Sequence, residues 1–493
     1  MFDHSQSGDR VAVIGGGPAG LTTAYELSKI APDHRVDVFE GGELVGGISR
    51  TESYNGFRID IGGHRFFTKI PEVQATWKEI LGDEFIRVPR LSRIYYRNKF
   101  YNYPLKLFNA LGNIGFYEST RIMLSYLKWQ LRPHKGDDSF EGWVINRFGG
   151  RLYMHFFASY TRKVWGIHPR NIQADWAAQR IKSLTLWGAV RKALTGSSDA
   201  TSLIEEFDYP VLGPGQMWER CVEKLEAAGQ SVHMRHWVQK LERDGNRITA
   251  AIVKTPDGET KRVEADHFIN SMALDDLIGA IDPPPPAHVV AAAEKLKYRD
   301  FLIVALLLDD PDPFPDNWVY VHSGDVRVGR IQNVRAWSRA MVPNDSQASI
   351  GMEYFCNVDD EMWAMEDADL IKMAGGELEA LSLGRADKVV DGKVIRQPKA
   401  YPVYDTEYKE AVDTISDWIK RLENLQSVGR NGLHRYNNQD HSMLTGIYAA
   451  RNIMGEAHDL WDVNVERSYH EEMEIADKEK AAKSADRETV NAA

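Results

Sequence analysis

The sequence predicts an α/β protein of more than one domain, and three observations carry that prediction. The chain has 493 residues, more than a single core ordinarily fills. Its N-terminal part alternates an apolar strand pattern, VAVI (11–14), an amphipathic helical pattern and a second strand, RVDVFE (35–40). Further on the pattern changes twice, to helical spacing from about 105 to 205 and to apolar, strand-rich runs over 299–360.

The first strand runs straight into Gly15, Gly17 and Gly20, a G-x-G-x-x-G spacing with Pro18 and Ala19 before the third glycine. Gly15 permits a tight turn, Gly17 lets the backbone approach a pyrophosphate, and Gly20 lets the helix pack on the strand. The helix N-terminus offers N–H groups and the positive end of its dipole to phosphate. Glu40 closes the second strand 20 positions after Gly20, where an acid can accept hydrogen bonds from ribose hydroxyls. Strand, glycines, helix, strand and acid in register predict a Rossmann-like dinucleotide-binding unit.

The later elements follow in order. Residues 105–131, 138–167 and 175–194 read as helices of an insertion, and TGSSDATS (195–202) as a loop. GPGQMWERCVEKLEAAGQ (213–230) reads as a turn and a helix. A strand pair turns at TPDGET (255–260), FINSMALDDL (268–277) reads as a returning strand and turn, and PPPP (283–286) marks a boundary. DFLIVALLLD, NWVYVHS, VGRIQNV and ASIGMEYFCN predict a mainly antiparallel second sheet. A helix is expected over 415–423, and the polar tail 471–493 as a frayed helix or disorder.

Composition narrows the function. The net charge is −11, which argues against nucleic-acid binding through a bulk positive field. Cys221 and Cys356 are the two cysteines, too few and too far apart for a disulfide framework or a zinc knuckle, so no metal site is expected. MFDHSQSGDR lacks the regions of a signal peptide, and FLIVALLL (301–308) is too short to span a bilayer. A cytoplasmic protein without integral membrane association is the expectation. No P-loop, G-x-S-x-G, H-E-x-x-H or paired-carboxylate pattern is found.

The stretch after Glu40 is similar to one family of dinucleotide proteins. Gly46 and Gly47 follow the acid in an E-x(5)-G-G-x(3)-[ST] pattern, and GFRIDIGGH (56–64) ends in Gly63 and His64. Both resemble the FAD-containing amine-oxidase and mutase superfamily, in which the glycine pair passes the FAD pyrophosphate and the Gly-Gly-His turn lies against the isoalloxazine. From the residues alone His64 is equally a satisfied turn histidine. SFEGWVINRFG (139–149), FFASYTRKVWGI (156–167), ADWAAQRI (174–181), RVGRIQNVRAW (327–337), KAYPVYD (399–405) and GRNGLHRYNNQDHSM (429–443) resemble segments of the UDP-galactopyranose mutases, particularly their long form. The likeness runs from about residue 10 to 455.

The resemblance implies a discontinuous FAD-binding domain of the GR2 type over 1–104, 206–282 and 401–470, a helical domain over 105–205 and an antiparallel β-sheet substrate domain over 283–400. It implies Gly15, Gly17, Pro18, Ala19, Gly20, Glu40, Gly46, Gly47, Gly63, His64, Val238, Arg430, Gln439, Asp440 and Ser442 as cofactor residues. Arg180 and Arg330 would clamp a nucleotide diphosphate, since Arg forks match phosphate oxygens. Alone, either arginine is as readily a surface ion pair. Tyr160, Trp165, Tyr320, Tyr401, Tyr436, Asn438 and, more weakly, Asn102 would meet the nucleotide and sugar, although the aromatics also suit ordinary core packing.

The implied activity interconverts pyranose and furanose forms of a nucleotide-diphosphate sugar, serving cell-surface polysaccharide synthesis. Reduced FAD would act through N5 as nucleophile at the anomeric carbon, with His64, Arg180 and Arg330 as catalytic residues and NAD(P)H as candidate reductant. Homo-oligomerisation is left open. The pattern departs from short family members at Phe67, where they carry a second histidine, and Arg65 adds a charge beside the turn. A competing expectation is an FAD-dependent oxidoreductase of the amine-oxidase or protoporphyrinogen-oxidase type, which shares both glycine motifs. A third is a non-enzymatic flavin- or sugar-nucleotide-binding protein.

Overall fold

The structure is a computed structural model and describes residues 8–103, 107–174, 201–203, 205–464 and 472–474. It divides into two compact units. The first draws on 1–86, 209–314 and 332–465, the second on 87–208, 315–331 and 466–493.

The first unit is built on a five-stranded sheet in which all pairings are parallel. The strand Arg10–Ile14 lies between Arg35–Glu40 and His267–Asn270, Ser231–Met234 adds outside Arg35–Glu40, and Leu425–Ser427 adds outside His267–Asn270. Residues from the two ends of the chain therefore share one sheet, one strand apart. Val11, Val13, Val36 and Val38 point to one face, where they pack with Leu21, Ala24 and Leu27 of the helix Pro18–Ile30 and with Met443 and Ile447 of the helix Gln439–Ile453. Ala12, Ile14 and Phe39 point to the other face, against Leu274, Leu277, Ile415 and Trp418. Such near-continuous apolar strands are what a parallel sheet covered on both faces requires.

The same unit carries an antiparallel set in which Tyr298–Leu308 is paired on one side by Ala348–Cys356 and on the other by Val389–Pro402. FLIVALLL is thus a doubly paired, buried strand, as its length and apolarity predict. The strand pair flanking TPDGET is antiparallel, with Lys254 opposite Thr260. The helix expected over 415–423 instead spans Tyr408–Ile419. Its apolar face begins at Ala411 and Val412, and the Asp405 carboxylate accepts from the Glu407 and Tyr408 N–H groups at 3.0 and 3.1 Å, which sets the earlier start.

In the second unit Ser92–Tyr96 pairs antiparallel with Lys99–Asn102 and parallel with Trp318–Val321. The helices Phe116–Leu131, Phe140–Phe148, Gly150–Phe156 and Ala158–Trp165 follow the expected helical spacing. Ser139 caps its helix by accepting from Gly142 N–H at 3.2 Å. Gly149 turns between two helices with φ 83°, and a Cβ there would lie 2.8 Å from Tyr126 Cα, so the crossing needs glycine. Residues 175–200, expected as a helix and most of a loop, lie outside the described residues. Two sequence expectations change here. Thr201–Leu203, overlapping the expected loop, pairs antiparallel with Glu472–Glu474, which belongs to the expected polar tail. Backbone pairing supplies the order that composition does not signal.

Candidate functional site

The first unit gathers most of the predicted cofactor residues around two glycine turns. Gly15 has φ 100° and donates to Phe39 C=O at 2.8 Å. A Cβ on Gly20 would lie 2.1 Å from Gly15 O, so helix and strand touch there through backbone alone. Gly46, also at φ 100°, donates its N–H to Gly16 C=O at 2.8 Å and brings the second turn against the first. A Cβ on Gly17 would meet nothing nearer than Gly47 Cα at 3.8 Å. Gly17 and Gly47 therefore face each other in a cradle walled by backbone, at the N-terminus of a helix that no side chain caps. Both Glu40 oxygens are aligned, Oε2 by Gly16 N–H and Oε1 by Gly42 N–H, each at 2.7 Å. A carboxylate oxygen holds more than one lone pair, so Glu40 keeps capacity for hydroxyl donors.

The C-terminal stretch joins this cradle. Gly429, at φ 83°, donates to Thr445 Oγ1 at 3.0 Å, and a Cβ on it would lie 2.9 Å from Ala19 Cβ. A Cβ on Gly446 would lie 2.5 Å from Ala19 C=O, so the first and last helices also meet at a glycine. Gln439 Oε1 accepts from Ser49 Oγ at 2.7 Å, and Ser49 accepts in turn from Trp218 Nε1 at 3.2 Å. Asp440 accepts from Thr68 Oγ1 at 2.9 Å. Asn438 begins the helix without a side-chain cap, and Ser442 is buried in its first turns.

Arg430 donates from Nε to Asn437 C=O at 2.9 Å and from Nη1 to Ala400 C=O at 3.2 Å. Its guanidinium carbon lies 5.4 and 5.0 Å from the ring centres of Tyr401 and Tyr436, which stack on each other at 5.5 Å. Such an arrangement stabilises the cation without neutralising it. His64 follows Gly63 with its Nε2 2.9 Å from Ile48 C=O and 3.0 Å from Ile61 C=O. Carbonyls only accept, so Nε2 carries the proton and Nδ1 is the acceptor nitrogen. Burial, with the Arg430 charge adding, pushes His64 down to about 4, so its imidazole is neutral at pH 7.

Two buried acids lie near this turn that the sequence reading did not single out. Asp60 accepts from Tyr209 OH, from Thr51 Oγ1 at 2.9 Å and from Gln332 Nε2 at 3.5 Å. Burial raises it to about 6. Glu353 is 1 % exposed, with Oε1 3.2 Å from where a Gly62 Cβ would sit. An acid inside ASIGMEYFC, wholly buried and mostly apolar, was the available signal. Val238, by contrast, is core: it lies in the strand Trp237–Asp244 opposite Val253.

The second unit assembles Tyr160, Tyr320 and Arg330. Arg330 Nε donates to Tyr160 OH at 3.0 Å. The Tyr160 ring stacks on His322 at 4.2 Å and meets Tyr320 edge-on at 6.2 Å, and Tyr320 lies 4.6 Å from Tyr103. Burial, helped by the Lys163 charge, drives His322 to about 3, so the ring under Tyr160 is uncharged. Lys163, one helical turn beyond Tyr160, donates to the carbonyls of Val321, Ser323, Val326 and Val328 at 3.3, 2.7, 3.0 and 2.9 Å. It ties down the loop that ends at Arg330. An i, i+3 Tyr–Lys pair in SYTRKVW was the only sequence signal for it. Trp165 is buried at the helix end, whereas Asn102 is exposed, its N–H held by Asn109 Oδ1 at 2.9 Å. Arg180 lies outside the described residues.

Comparisons with known proteins agree with the fold. Residues 13–80 match the NAD(P)-binding Rossmann-like domain family. The chain is 38 % identical over 418 residues to a coproporphyrinogen III oxidase of Mycobacterium bovis, covering 81 % of this chain and 88 % of that protein. A crystal structure of reduced UDP-galactopyranose mutase superposes with TM-score 0.79 at 21 % identity, covering 92 % of this chain and 97 % of that one. A chain from an Exiguobacterium species, assigned as a protoporphyrinogen oxidase, superposes with TM-score 0.69 at 16 % identity, covering 91 % and 100 %.

Proposed function

We propose a function from one premise: this chain belongs to the family of the mycobacterial coproporphyrinogen III oxidase, within the FAD-dependent amine-oxidase superfamily. It is an FAD-dependent enzyme whose substrate is an anion held through Arg330. The residues of the first unit fit FAD. The backbone cradle of Gly17 and Gly47 suits the pyrophosphate, Glu40 the adenosine ribose, and the Gln439 helix start with Ser49 the ribityl chain. Arg430, kept charged between two tyrosines, would sit by the flavin as a fixed positive field. FAD supplies a nucleophilic nitrogen when reduced and a hydride acceptor when oxidised.

The reading the geometry favours is a sugar-nucleotide mutase of the UDP-galactose type. One observation carries it: Arg330 is aimed by a tyrosine hydroxyl within a group of Tyr103, Tyr160, Tyr320 and His322. Rings that bear hydroxyls or ring nitrogens suit a base and a sugar, and an Arg fork suits a diphosphate. Arg180 is the second cation of this proposal, and in the first unit the resemblance assigns Tyr401, Tyr436 and Asn438 to sugar binding. His64 holds its Nε2 proton on two carbonyls and offers Nδ1 to a hydroxyl donor, so it orients and does not act as an acid at neutral pH.

A second reading is oxidation of a porphyrinogen, favoured by the 38 % identity to the mycobacterial enzyme. The carboxylates of such a substrate would also use Arg330. The two readings differ in whether electrons leave the substrate. Dithionite-reduced protein incubated anaerobically with UDP-galactofuranose should yield the pyranose without stoichiometric flavin oxidation. Absence of product there, with oxygen-dependent conversion of coproporphyrinogen III to the porphyrin, would replace the first reading by the second. Purified protein unable to hold FAD would overturn both.

A further inference from the structure

The helix Phe116–Leu131 carries an exposed face of a kind found nowhere else among the described residues. Five of the thirteen exposed large apolar side chains belong to this one helix: Phe116, Tyr117, Leu124, Leu127 and Leu131, at 90, 74, 61, 52 and 83 % exposure. At about 100° per residue they fall within about 100° of arc, with Thr120 among them. The opposite face is packed. Ile122 and Tyr126 are buried, Ser125 Oγ accepts from Arg151 N–H, and Glu118 is held by Arg151 and His155. The helix is therefore amphipathic twice over, with one apolar face turned inward and the other left to the outside. Isolated exposed apolar residues need no explanation, but a contiguous stripe does.

We propose that this helix docks the protein on a lipid surface bearing anionic headgroups. Charge argues for that occupant. Over 116–135 the chain carries Arg121, Lys128, Arg132 and Lys135 against a single acid, Glu118, although the whole protein has net charge −11. Lys128 and Arg121 border the apolar stripe on one side, where long side chains can bury their stems and keep their charges at headgroup level. This composition is that of a helix lying in the interface plane. No helix among the described residues is long and apolar enough to cross a membrane, so the contact is peripheral. A second copy fits less well. Two such faces brought together would set their cations against each other, and the acid of the helix is already engaged by Arg151 and His155. The inference is independent of the substrate reading.

The test uses the full-length, flavin-loaded protein and vesicles of phosphatidylcholine alone or with phosphatidylglycerol. Co-sedimentation with the anionic vesicles is expected to be at least about tenfold tighter than with neutral ones and to weaken at high salt. Two double variants change only exposed side chains, L124S with L131S and K128E with R132E. Each should lower binding about tenfold or more with unchanged thermal midpoint and FAD content. Binding unaffected by either variant would overturn the proposal, as would equal binding to neutral vesicles. A lipid-free dimer dissociated by the leucine variant would overturn it too, assigning the stripe to a second copy.

Discussion

The glycine cradle of the first unit and the arginine cluster of the second are built in opposite ways. The cradle is made of backbone. Gly15, Gly17, Gly20, Gly46 and Gly47 act by what they lack, and a Cβ at Gly20 would overlap Gly15 O at 2.1 Å. The arginine cluster is made of side chains resting on side chains: Arg330 on Tyr160, Tyr160 on His322, and the loop on Lys163. A backbone site is fixed by spacing along the chain, while a side-chain site is fixed by partners far apart in sequence. The first should fail abruptly when one atom is added, and the second by degrees as partners are removed.

The largest expected effect tests the cradle. Gly17 has φ −81° and nothing closer than 3.8 Å to where its Cβ would stand, so Gly17→Val should leave the apoprotein folded while filling the place proposed for the pyrophosphate. FAD affinity should fall about 1000-fold, or about 4 kcal/mol, with the apoprotein thermal midpoint within about 2 °C of wild type. Flavin absorbance after desalting and a melting curve read both. Gly20→Ala should do the reverse and lower the midpoint of the apoprotein itself, because its clash is internal. If both variants lose flavin and stability together, the cradle is not separable from the fold and the contrast breaks.

Next in size is the buried acid beside the same unit's Gly-Gly-His turn. Asp60 loses its proton near pH 6 in the folded chain, against 3.8 when exposed, because burial penalises its charge more than Tyr209 and Thr51 relieve it. As pH rises from 3.8 to 6 the unfolded chain gives up this proton and the folded chain keeps it. Stability from the neutral carboxyl is therefore present below that window, lost through it and absent above. A gap of about two pH units at about 1.4 kcal/mol each predicts about 3 kcal/mol. Asp60→Asn removes the titration and keeps an acceptor for Tyr209. The wild-type minus variant difference in unfolding free energy should fall by about 2.4 kcal/mol between pH 4 and pH 7 in urea titrations, the rest of the change lying below pH 4. A difference that does not change with pH would mean that Asp60 is ionised at no cost.

How much could be read from the sequence follows the same division. Gly15, Gly17, Gly20 and Glu40 announce their turn because glycine spacing reports backbone geometry, and the parallel sheet follows from the strand–helix–strand register. The strand pair at 255–260 and the buried run 301–308 are legible for similarly local reasons. Lys163, His322, Asp60 and Glu353 are not, since each has defining partners from 149 to 291 positions away, as Asp60–Tyr209 and Glu353–Gly62 illustrate. Val238 shows how little a position alone says: its side chain packs in the core, opposite Val253, so a cofactor contact there would use the strand's backbone. The exposed stripe of Phe116–Leu131 reads in sequence as a helix's inward face, because apolar spacing gives a period but not which side meets solvent.

The smaller effects belong to the arginine cluster, where the loss should be graded. Arg330→Ala should weaken binding of UDP about 100-fold, or about 2.7 kcal/mol, by removing a charge-assisted fork. Tyr160→Phe keeps the ring stacked on His322 and removes only the oxygen that accepts from Arg330 Nε. Its expected cost is about 1 kcal/mol, or about fivefold, with turnover changed less than binding. The pair is informative as a cycle. If Tyr160 acts by aiming Arg330, Tyr160→Phe should cost almost nothing once Arg330 is already alanine. Titration calorimetry with UDP on the four proteins measures this directly. Independent losses that simply add would mean that Tyr160 contacts the ligand on its own account. The second unit would then hold two separate contacts instead of one arginine set in place by its neighbours.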